Sequence, residues 1–349
     1  MLATVIYGER DVRLDTVPEP ELSTGLDAIV RVVAACVCGS DLWSYRGVAK
    51  VDEPKRIGHE FIGIVESIGS EVSKVAVGDF VIAPFYVCDM TCANCVNGVS
   101  TSCLHGGWWG ANDRTGGFAD GAQGERVRVP LADGTLVATP GHPAPELIPS
   151  ILTLADVMGT GHHAALSAGV TTGSTVVVVG DGAVGLCAII AAKRLGASRI
   201  VAMSRHADRQ ALATEFGATD IVEERGEEGI ARIKEMFDGI GADCVLECVG
   251  TAESMDQAIR STRPGGTVGY VGVPNGAPEL PVRTLFNSNI GVNGGVAPVR
   301  NYIEELLPEV LSGAINPGRV FNLELPLSEV AEAYAAMDER RAVKVLLRP

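Results

Sequence analysis

A glycine-rich turn behind a run of valines constrains the fold of this chain more than any other feature. Residues 176–179 are all valine, which is typical of a buried strand, and residues 180–185 have the spacing Gly-x-Gly-x-x-Gly. Between a strand and a helix, bare glycines let backbone N–H groups approach a pyrophosphate at the helix N-terminus. The sequence therefore predicts a dinucleotide-binding turn, formed by Gly180, Gly182, Ala183, Val184 and Gly185.

The pattern around this turn predicts two domains. From residue 175 to about residue 271 short apolar strands alternate with helical stretches, an order that favours a parallel sheet with right-handed crossovers. Residues 1–150 instead contain short β-rich runs broken by Pro and Gly, which indicates a mainly antiparallel domain. We predict an α/β protein with an inserted doubly wound Rossmann domain at 153–295. The first domain then comprises residues 1–152 and 296–349.

Composition excludes several classes of function. The 349 residues carry a formal net charge of −15, which disfavours binding to nucleic acid because phosphates require clustered Lys and Arg. No run of about 18 apolar residues is present to span a membrane, and the first residues do not have the pattern of a signal peptide. Four of the 9 cysteines lie within residues 88–103, which favours metal binding over disulfides. We therefore expect a cytoplasmic protein.

A second signal lies near the N-terminus, where Cys38 is followed by Gly-Ser-Asp and His59 stands between Gly58 and Glu60. Thiolate, imidazole and carboxylate together suit a zinc ion with one position left open. A cysteine and a histidine at this spacing are also compatible with simple packing roles. The flanking residues favour the metal site.

These motifs together resemble the zinc-containing medium-chain alcohol dehydrogenases along nearly the whole chain. The matching pieces are a Cys-Gly-Ser-Asp motif, a Gly-His-Glu motif, a Gly-Asp-Phe-Val turn, a cysteine-rich lobe, the nucleotide turn and an Arg-Pro-Gly-Gly turn, at residues 38–41, 58–60, 78–81, 88–103, 180–185 and 263–266. The resemblance implies a GroES-like catalytic domain beside the Rossmann domain. It also implies hydride transfer between an alcohol and NAD(P), giving an aldehyde or ketone.

The resemblance implies that Cys38 and His59 hold a catalytic zinc ion. The third ligand is expected from residues 154–159, where many members supply a cysteine and this chain supplies Asp156. The alternative for Asp156 is a helix N-cap, which aspartate favours. Glu60 is expected to occupy the fourth position when substrate is absent, or to lie behind the ligands.

Ser40 is expected to pass on the proton of the bound alcohol, because a hydroxyl next to the metal can relay it. The alternative is a serine that only caps a turn. Many relatives continue the relay with a histidine five residues after the zinc cysteine, and this chain has Trp43 there. Water or the cofactor ribose is then expected to complete the relay.

The cysteine-rich lobe resembles the structural zinc loop of the family, in which four cysteines are spaced Cys-x₂-Cys-x₂-Cys-x₇-Cys. Cys92, Cys95 and Cys103 are in register with that pattern, and the first slot falls on Asp89. A carboxylate is an acceptable zinc ligand, so Asp89 is a candidate for the fourth ligand. A shift of one residue to Cys88, and a lobe without metal, are the alternatives.

The end of the second strand of the Rossmann domain bears on the choice of cofactor. An NAD-preferring domain has Asp or Glu about 20 residues after the glycine turn, and this chain has Ser204, Arg205 and His206. A hydroxyl and a guanidinium can bind the 2′-phosphate of NADP. The sequence therefore favours NADP, the alternative for Arg205 being a solvated charge at a helix start.

We predict a zinc-dependent NAD(P) alcohol dehydrogenase with a small-molecule substrate, and the resemblance implies a homo-oligomer, either a dimer or a tetramer. One alternative is an NAD-preferring polyol or amino-alcohol dehydrogenase of the same family. The alternative from another class is a non-catalytic or zinc-free relative that binds NADPH.

Overall fold

The computed structural model describes residues 1–274, 276 and 279–349, and the chain divides into two compact units. The first unit comprises Met1–Asp156 and Pro298–Pro349, and the second comprises Val157–Ala297. Asp156 therefore belongs to the first unit, whereas the predicted boundaries assign it to the nucleotide domain.

The strands of the described residues, in chain order, are β1 (Leu2–Gly8), β2 (Asp11–Thr16), β3 (Ala28–Cys36), β4 (Lys55–Arg56), β5 (Phe61–Ile68), β6 (Phe80–Ala83), β7 (Tyr86–Val87), β8 (Gly107–Trp108), β9 (Ala111–Asn112), β10 (Phe118–Ala119), β11 (Arg126–Val129), β12 (Val137–Ala138), β13 (Thr175–Val179), β14 (Arg199–Met203), β15 (Asp220–Val222), β16 (Ala242–Glu247), β17 (Thr262–Tyr270), β18 (Gly291–Gly294), β19 (Phe321–Pro326) and β20 (Lys344–Arg348).

The α-helices are α1 (Asp41–Tyr45), α2 (Ala93–Val96), α3 (Ala132–Thr135), α4 (Ile148–Thr153), α5 (Val157–Ser167), α6 (Ala183–Arg194), α7 (Ala207–Phe216), α8 (Gly226–Met236), α9 (Ala252–Ser261), α10 (Val282–Ser288), α11 (Arg300–Leu311) and α12 (Val330–Asp338). Short 3₁₀ turns occur at Ser100–Ser102, Pro145–Leu147, Pro317–Val320 and Leu327–Glu329. None of the helices in the described residues has the length and apolar character needed to cross a membrane.

The second unit contains a six-stranded parallel sheet in the order β15-β14-β13-β16-β17-β18. This is the doubly wound order, in which β13 and β16 flank the point where the direction of winding reverses. The sheet centre is aliphatic, as a parallel sheet covered on both faces requires, and its buried core includes Val177, Val201, Val245 and Val268. The predicted Rossmann domain is confirmed.

The first unit is built on a seven-stranded sheet in the order β12-β6-β5-β3-β20-β19, with β11 also pairing with β3. All of its pairings are antiparallel except that between β19 and β20. Because β20 pairs with β3, the C-terminal segment completes the sheet begun by the N-terminal one. The predicted mainly antiparallel domain, interrupted by the Rossmann domain, is confirmed.

Candidate active site

Strand register brings the predicted zinc ligands of the first unit to one edge of its sheet. Ala35 of β3 pairs with Phe61 of β5 in antiparallel register, so the chain leaves β3 where it enters β5. Cys38 lies just after β3 and His59 just before β5, and the two therefore meet at that edge. Asp156 is brought to the same place by the turn that follows α4.

The donor atoms of Cys38, His59, Glu60 and Asp156 all lie within 4.8 Å of one another. Oδ2 of Asp156 lies 3.8 Å from Sγ of Cys38 and 3.7 Å from Nε2 of His59. Zinc–ligand bonds of about 2.0–2.3 Å at tetrahedral angles separate ligand atoms by about 3.4–3.8 Å. The thiol, imidazole and carboxylate therefore fit a tetrahedral zinc ion.

Asp41 orients the imidazole of His59. Its Oδ1 atom lies 3.3 Å from Nδ1 of His59, and its Oδ2 atom accepts a 2.9 Å hydrogen bond from the backbone N–H of Cys38. Burial disfavours the protonated imidazole, but Asp41 and the Cys38 thiolate outweigh burial and raise the pKa of His59. A carboxylate at Nδ1 fixes the ring and leaves Nε2 for a metal, which is the usual support of a zinc-binding histidine.

Glu60 and Lys344 form a buried ion pair behind these ligands. Lys344, the first residue of β20, donates a 2.7 Å hydrogen bond from Nζ to Oε1 of Glu60, and another of 3.2 Å to the carbonyl of Val37. Lys344 is 1% exposed and Glu60 is fully buried. Among the described residues, Oε2 of Glu60 has no hydrogen-bond partner. A buried carboxylate oxygen without a donor suits a position beside a cation.

Ser40 lies at the N-terminus of α1 between Cys38 and Asp41, and it is half-buried. Its side chain makes no capping hydrogen bond to the helix. The hydroxyl of Ser40 therefore does not cap α1 in the structure.

The cysteine-rich lobe of the first unit forms a second cluster, in which donor atoms of Asp89, Cys92, Cys95 and Cys103 lie within 4.8 Å of one another. Sγ of Cys92 lies 3.9 Å from Sγ of Cys103, close to the separation of about 3.8 Å expected for two thiolates on one zinc ion. The backbone N–H of Leu104 donates to the Cys92 sulfur and lowers the pKa of that thiol to about 7. This N–H group therefore favours the thiolate of Cys92, the form that binds metal, whereas burial raises the pKa values of Cys95 and Cys103.

The structure groups Asp89, not Cys88, with the three cysteines. Oδ1 of Asp89 accepts hydrogen bonds of 2.8 Å and 3.0 Å from the N–H groups of Thr91 and Cys92, and Oδ2 pairs with His105. Cys88 points elsewhere, toward the carbonyl of Gly134 at 3.7 Å, and burial raises its pKa to about 12. Asp89 is thus the candidate that the geometry supports.

In the second unit, the glycine turn joins β13 to α6. Gly180 has φ +118°, a conformation that side chains disfavour, and a Cβ on Gly185 would overlap the carbonyl oxygen of Gly180. Gly182 is the N-cap of α6, and it leaves the N–H groups of Ala183 and Val184 in the first helical turn without a capping side chain. This is the turn that a pyrophosphate requires.

The end of β14 differs from the sequence-based expectation in one respect. No carboxylate follows β14 itself, but the glycine turn supplies one, since the hydroxyl of Ser204 donates a 2.8 Å hydrogen bond to Oδ2 of Asp181. Ser204 therefore directs its proton at Asp181 and offers only lone pairs to other groups. Oδ1 of Asp181 is paired with Arg209.

Two further arginines lie close together here. Arg205 is exposed, and Arg225 donates a 2.7 Å hydrogen bond to the carbonyl of Met203. Burial lowers the pKa of Arg225, Asp181 opposes that effect, and the positive charge of Arg205 lowers it further. His206 follows as the N-cap of α7. Two guanidinium groups that repel each other are candidates for binding an anion.

Comparisons with known proteins match both units. A family model described as a zinc-binding dehydrogenase matches residues 183–312, and one described as an alcohol dehydrogenase GroES-like domain matches residues 25–141. A protein of Mycobacterium tuberculosis named as a probable zinc-binding alcohol dehydrogenase is 36% identical over 353 residues, covering 100% of this chain and 89% of that protein. The chain belongs to the zinc-dependent medium-chain alcohol dehydrogenase family.

Solved structures of alcohol dehydrogenases share this fold. The alcohol dehydrogenase TADH from Thermus sp. ATN1 superimposes with a TM-score of 0.91 at 35% identity, covering 100% of this chain and 99% of that one. The zinc-dependent alcohol dehydrogenase 2 from Streptococcus pneumonia gives a TM-score of 0.89 at 30% identity, with 100% and 98% coverage. As a member of this alcohol dehydrogenase family, the protein is an oxidoreductase.

Sequence reasoning missed several residues of this alcohol dehydrogenase that support its sites. Asp41 was visible as the last residue of the Cys-Gly-Ser-Asp motif, and Asp181 as the second residue of the glycine turn. Lys344, Arg209 and Arg225 lie outside these motifs and gave no comparable signal.

Proposed function

We propose that this dehydrogenase interconverts an alcohol and an aldehyde or ketone at a zinc ion held by Cys38, His59 and Asp156, with NADP favoured as its cofactor. The convergence of a thiol, an imidazole and a carboxylate within ligand distance carries this proposal. Three protein ligands with one open position are the arrangement of catalytic zinc, and Asp156 stands where a second cysteine completes the common Cys₂His set.

When bound, the zinc ion supplies a Lewis acid that polarises the substrate oxygen, and the nicotinamide cofactor carries the hydride. The side chains of the first unit orient the ligand His59 and transfer the proton of the alcohol. Asp41 holds Nδ1 of His59, so that Nε2 faces Asp156. We assign to Oγ of Ser40 the transfer of the alcohol proton, because this hydroxyl is not used to cap α1. Glu60 is proposed to fill the open position before substrate binds.

The catalytic proposal is tested by the variants Cys38→Ser and His59→Ala in the full chain. Each should lose about one zinc ion and its turnover while NADP binding is kept, because the cofactor residues belong to the second unit. Cys244→Ser is a matched control, since Cys244 lies in β16 of the second unit and its thiol donates a 3.2 Å hydrogen bond to the carbonyl of Ala168. Full turnover in a zinc-depleted Cys38→Ser protein would contradict the proposal.

The preference for NADP is proposed from the arginines after β14 and β15. Arg205 and Arg225 bring two positive charges together beside the end of β14, where the adenosine ribose of a dinucleotide lies in this fold. The 2′-phosphate of NADP would relieve their mutual repulsion, and NAD lacks that group. His206 adds a third group that is positive when protonated.

Binding of both cofactors tests this preference. A charge-assisted hydrogen bond is worth about 1.5–3 kcal/mol, so Arg205→Ala should weaken NADP binding by about one to two decades. NAD binding should change little, because NAD carries no group for Arg205 to pair with. A wild-type preference for NAD that Arg205→Ala does not alter would overturn the assignment of NADP.

We also propose that the cysteine-rich lobe holds a structural zinc ion through Asp89, Cys92, Cys95 and Cys103. The support is the tight cluster of their donor atoms and the N–H groups directed at Cys92 and Cys103, which stabilise thiolates. A closed set of four ligands without an open position is typical of a structural rather than a catalytic site.

One alternative function has a specific observation in its favour. The carboxylate of Asp181 lies beside Ser204 and is a possible acceptor for the ribose of NAD, as in an NAD-preferring polyol or amino-alcohol dehydrogenase of this family. The cofactor titrations above decide between the two. A metal assay excludes or supports the remaining alternative, a zinc-free or non-catalytic relative that binds NADPH.

We propose that two copies of the chain associate through the β18 edge of the second unit. In the described part of the sheet β18 is an outer strand, and the adjacent α10 exposes Val282 and Phe286 at 70% and 81%. A two-fold axis would pair β18 with its own copy and cover these side chains, since such an interface uses the same patch twice. Phe286→Glu should shift the mass measured by light scattering toward the monomer. An unchanged oligomer would contradict this interface.

A further inference from the structure

The carboxylate of Asp181 occupies a place in the cofactor site that the proposed NADP preference does not explain. Asp181 follows Gly180 in the glycine turn. Its Oδ2 atom accepts a 2.8 Å hydrogen bond from the hydroxyl of Ser204, which follows β14. An acidic group at the end of this second strand is what selects NAD, because it accepts the ribose 2′-OH and repels a 2′-phosphate. This chain therefore brings a carboxylate to the same place from the neighbouring strand.

Asp181 is not an isolated charge. Nη1 of Arg209, on α7, lies 3.2 Å from Oδ1 of Asp181 and 3.4 Å from its backbone carbonyl. The side chains of the pair are 12% and 18% exposed, so that water screens their interaction only weakly. Burial works against the charged carboxylate, but Ser204 and Arg209 outweigh burial and lower the pKa of Asp181. The two opposite charges therefore compensate each other.

We propose that the ion pair between Asp181 and Arg209 determines cofactor specificity, because Arg209 neutralises a carboxylate that would otherwise exclude the 2′-phosphate. Arg205 and Arg225 then supply the positive charge that attracts the 2′-phosphate. In this inference, which rests on the proposed NADP preference, Arg209 acts through Asp181 and does not itself contact the phosphate. It is a positioning and neutralising residue.

Two roles of Arg209, compensation of Asp181 and direct binding of the phosphate, predict different results when Arg209 is removed. If Arg209 acts only by compensating Asp181, then Arg209→Gln should leave an unpaired carboxylate that repels the phosphate, and a further Asp181→Asn change should remove the repulsion. If Arg209 instead binds the phosphate directly, the second change cannot restore binding. A double-mutant cycle therefore separates the two roles.

The probes are 2′,5′-ADP, which carries the phosphate, and 5′-AMP, which lacks it, titrated calorimetrically into the zinc-loaded full chain. Arg209→Gln should weaken binding of 2′,5′-ADP by about tenfold or more, because an unpaired carboxylate then lies beside the 2′-phosphate, and should leave binding of 5′-AMP within about threefold of wild type. The double variant Asp181→Asn with Arg209→Gln should return 2′,5′-ADP to within about threefold of wild type.

Arg199→Gln is the matched control. Arg199 forms an ion pair with Asp220 at 2.9 Å, but it lies at the opposite end of β14 from Ser204 and should change neither dissociation constant. Circular dichroism spectra of all variants establish that each is folded, and the double variant provides a second folded protein without Arg209.

The outcomes separate this inference from the proposed function. A wild-type protein that binds 2′,5′-ADP no more tightly than 5′-AMP would refute the NADP preference. The ion-pair inference is refuted if Arg209→Gln leaves the ratio of the two constants unchanged, or if the double variant stays as weak for 2′,5′-ADP as Arg209→Gln alone.

Discussion

Replacement of Lys344 by methionine should show how strongly the ion pair behind the zinc ligands stabilises the first unit. At 2.7 Å and an effective dielectric constant of about 20, the attraction between Lys344 and Glu60 is about 6 kcal/mol. The loss of stability in the variant is smaller than this attraction, because Glu60 can bind a proton and become neutral when Lys344 is absent. Protonating a carboxyl whose usual pKa is 4.5 costs about 3 kcal/mol at pH 7. With the lost hydrogen bond to Val37, we expect Lys344→Met to cost about 3–5 kcal/mol.

The assay is thermal unfolding of the chelator-treated protein. A loss of about 3 kcal/mol corresponds to about 6–12 °C in Tm for a unit of this size. In the variant the folded state holds the Glu60 proton and the unfolded state releases it above about pH 4.5, so stability falls as pH rises. Burial also raises the pKa of Glu60 in the wild type, so the loss relative to wild type should shrink as pH falls below 7, but by less per pH unit than the value of about 1.4 kcal/mol for a single titrating group.

The double variant Lys344→Met with Glu60→Gln is the control, because it removes both charges and keeps the volume. It should recover most of the lost stability, since a buried ion pair contributes little compared with a neutral replacement. A single variant that loses less than about 1 kcal/mol at pH 7, or a double variant as unstable as the single one, would refute this reasoning.

The remaining predictions concern the supports of the three sites. Asp41→Asn should lower zinc affinity about 10–100-fold in chelator competition, because His59 loses the carboxylate at Nδ1. An unchanged affinity would show that Asp41 does not support zinc binding by His59. Asp89→Ala should remove the zinc ion of the lobe while Cys88→Ser keeps it, and the reverse result in elemental analysis would reassign the fourth ligand to Cys88. Gly185→Ala should weaken NAD and NADP binding alike, by about tenfold or more, because the added Cβ overlaps the carbonyl of Gly180; normal titrations with both cofactors would contradict that role of the turn.

The fold could be predicted because its signals are local. The valine strand, the glycine turn and the alternation of strands and helices are each set by neighbouring residues, and the parallel sheet follows from their order. The valine run at 176–179, predicted as a buried strand, lies within β13 (Thr175–Val179). Strand pairing is not local, so the sequence pattern assigns residues 296–349 to the first domain without showing that β20 pairs with β3. It also does not show that Lys344 lies beside Glu60.

The sites were predictable where a motif carries them. The ligand candidates Cys38 and His59, their partner Asp41 and the glycine turn lie within short patterns, whereas Lys344 comes from far along the chain. The pair of Asp181 and Arg209 shows the limit most clearly. An NAD-preferring domain has an acidic residue at the end of β14, where this chain has Ser204. The carboxylate of Asp181 reaches Ser204 from the end of the neighbouring strand β13. Such proximity is determined by sheet order, which sequence spacing does not reveal.

The most direct test of the central claim is the zinc content and turnover of three proteins measured side by side. Wild type should contain about two zinc ions per chain, and Cys38→Ser and Cys95→Ser should each contain about one. Only the zinc ion lost in Cys38→Ser is proposed to act on substrate, so alcohol oxidation with NADP should vanish in that variant even though its lobe remains loaded. A Cys38→Ser protein that keeps two zinc ions and oxidises alcohols at the wild-type rate would contradict the account.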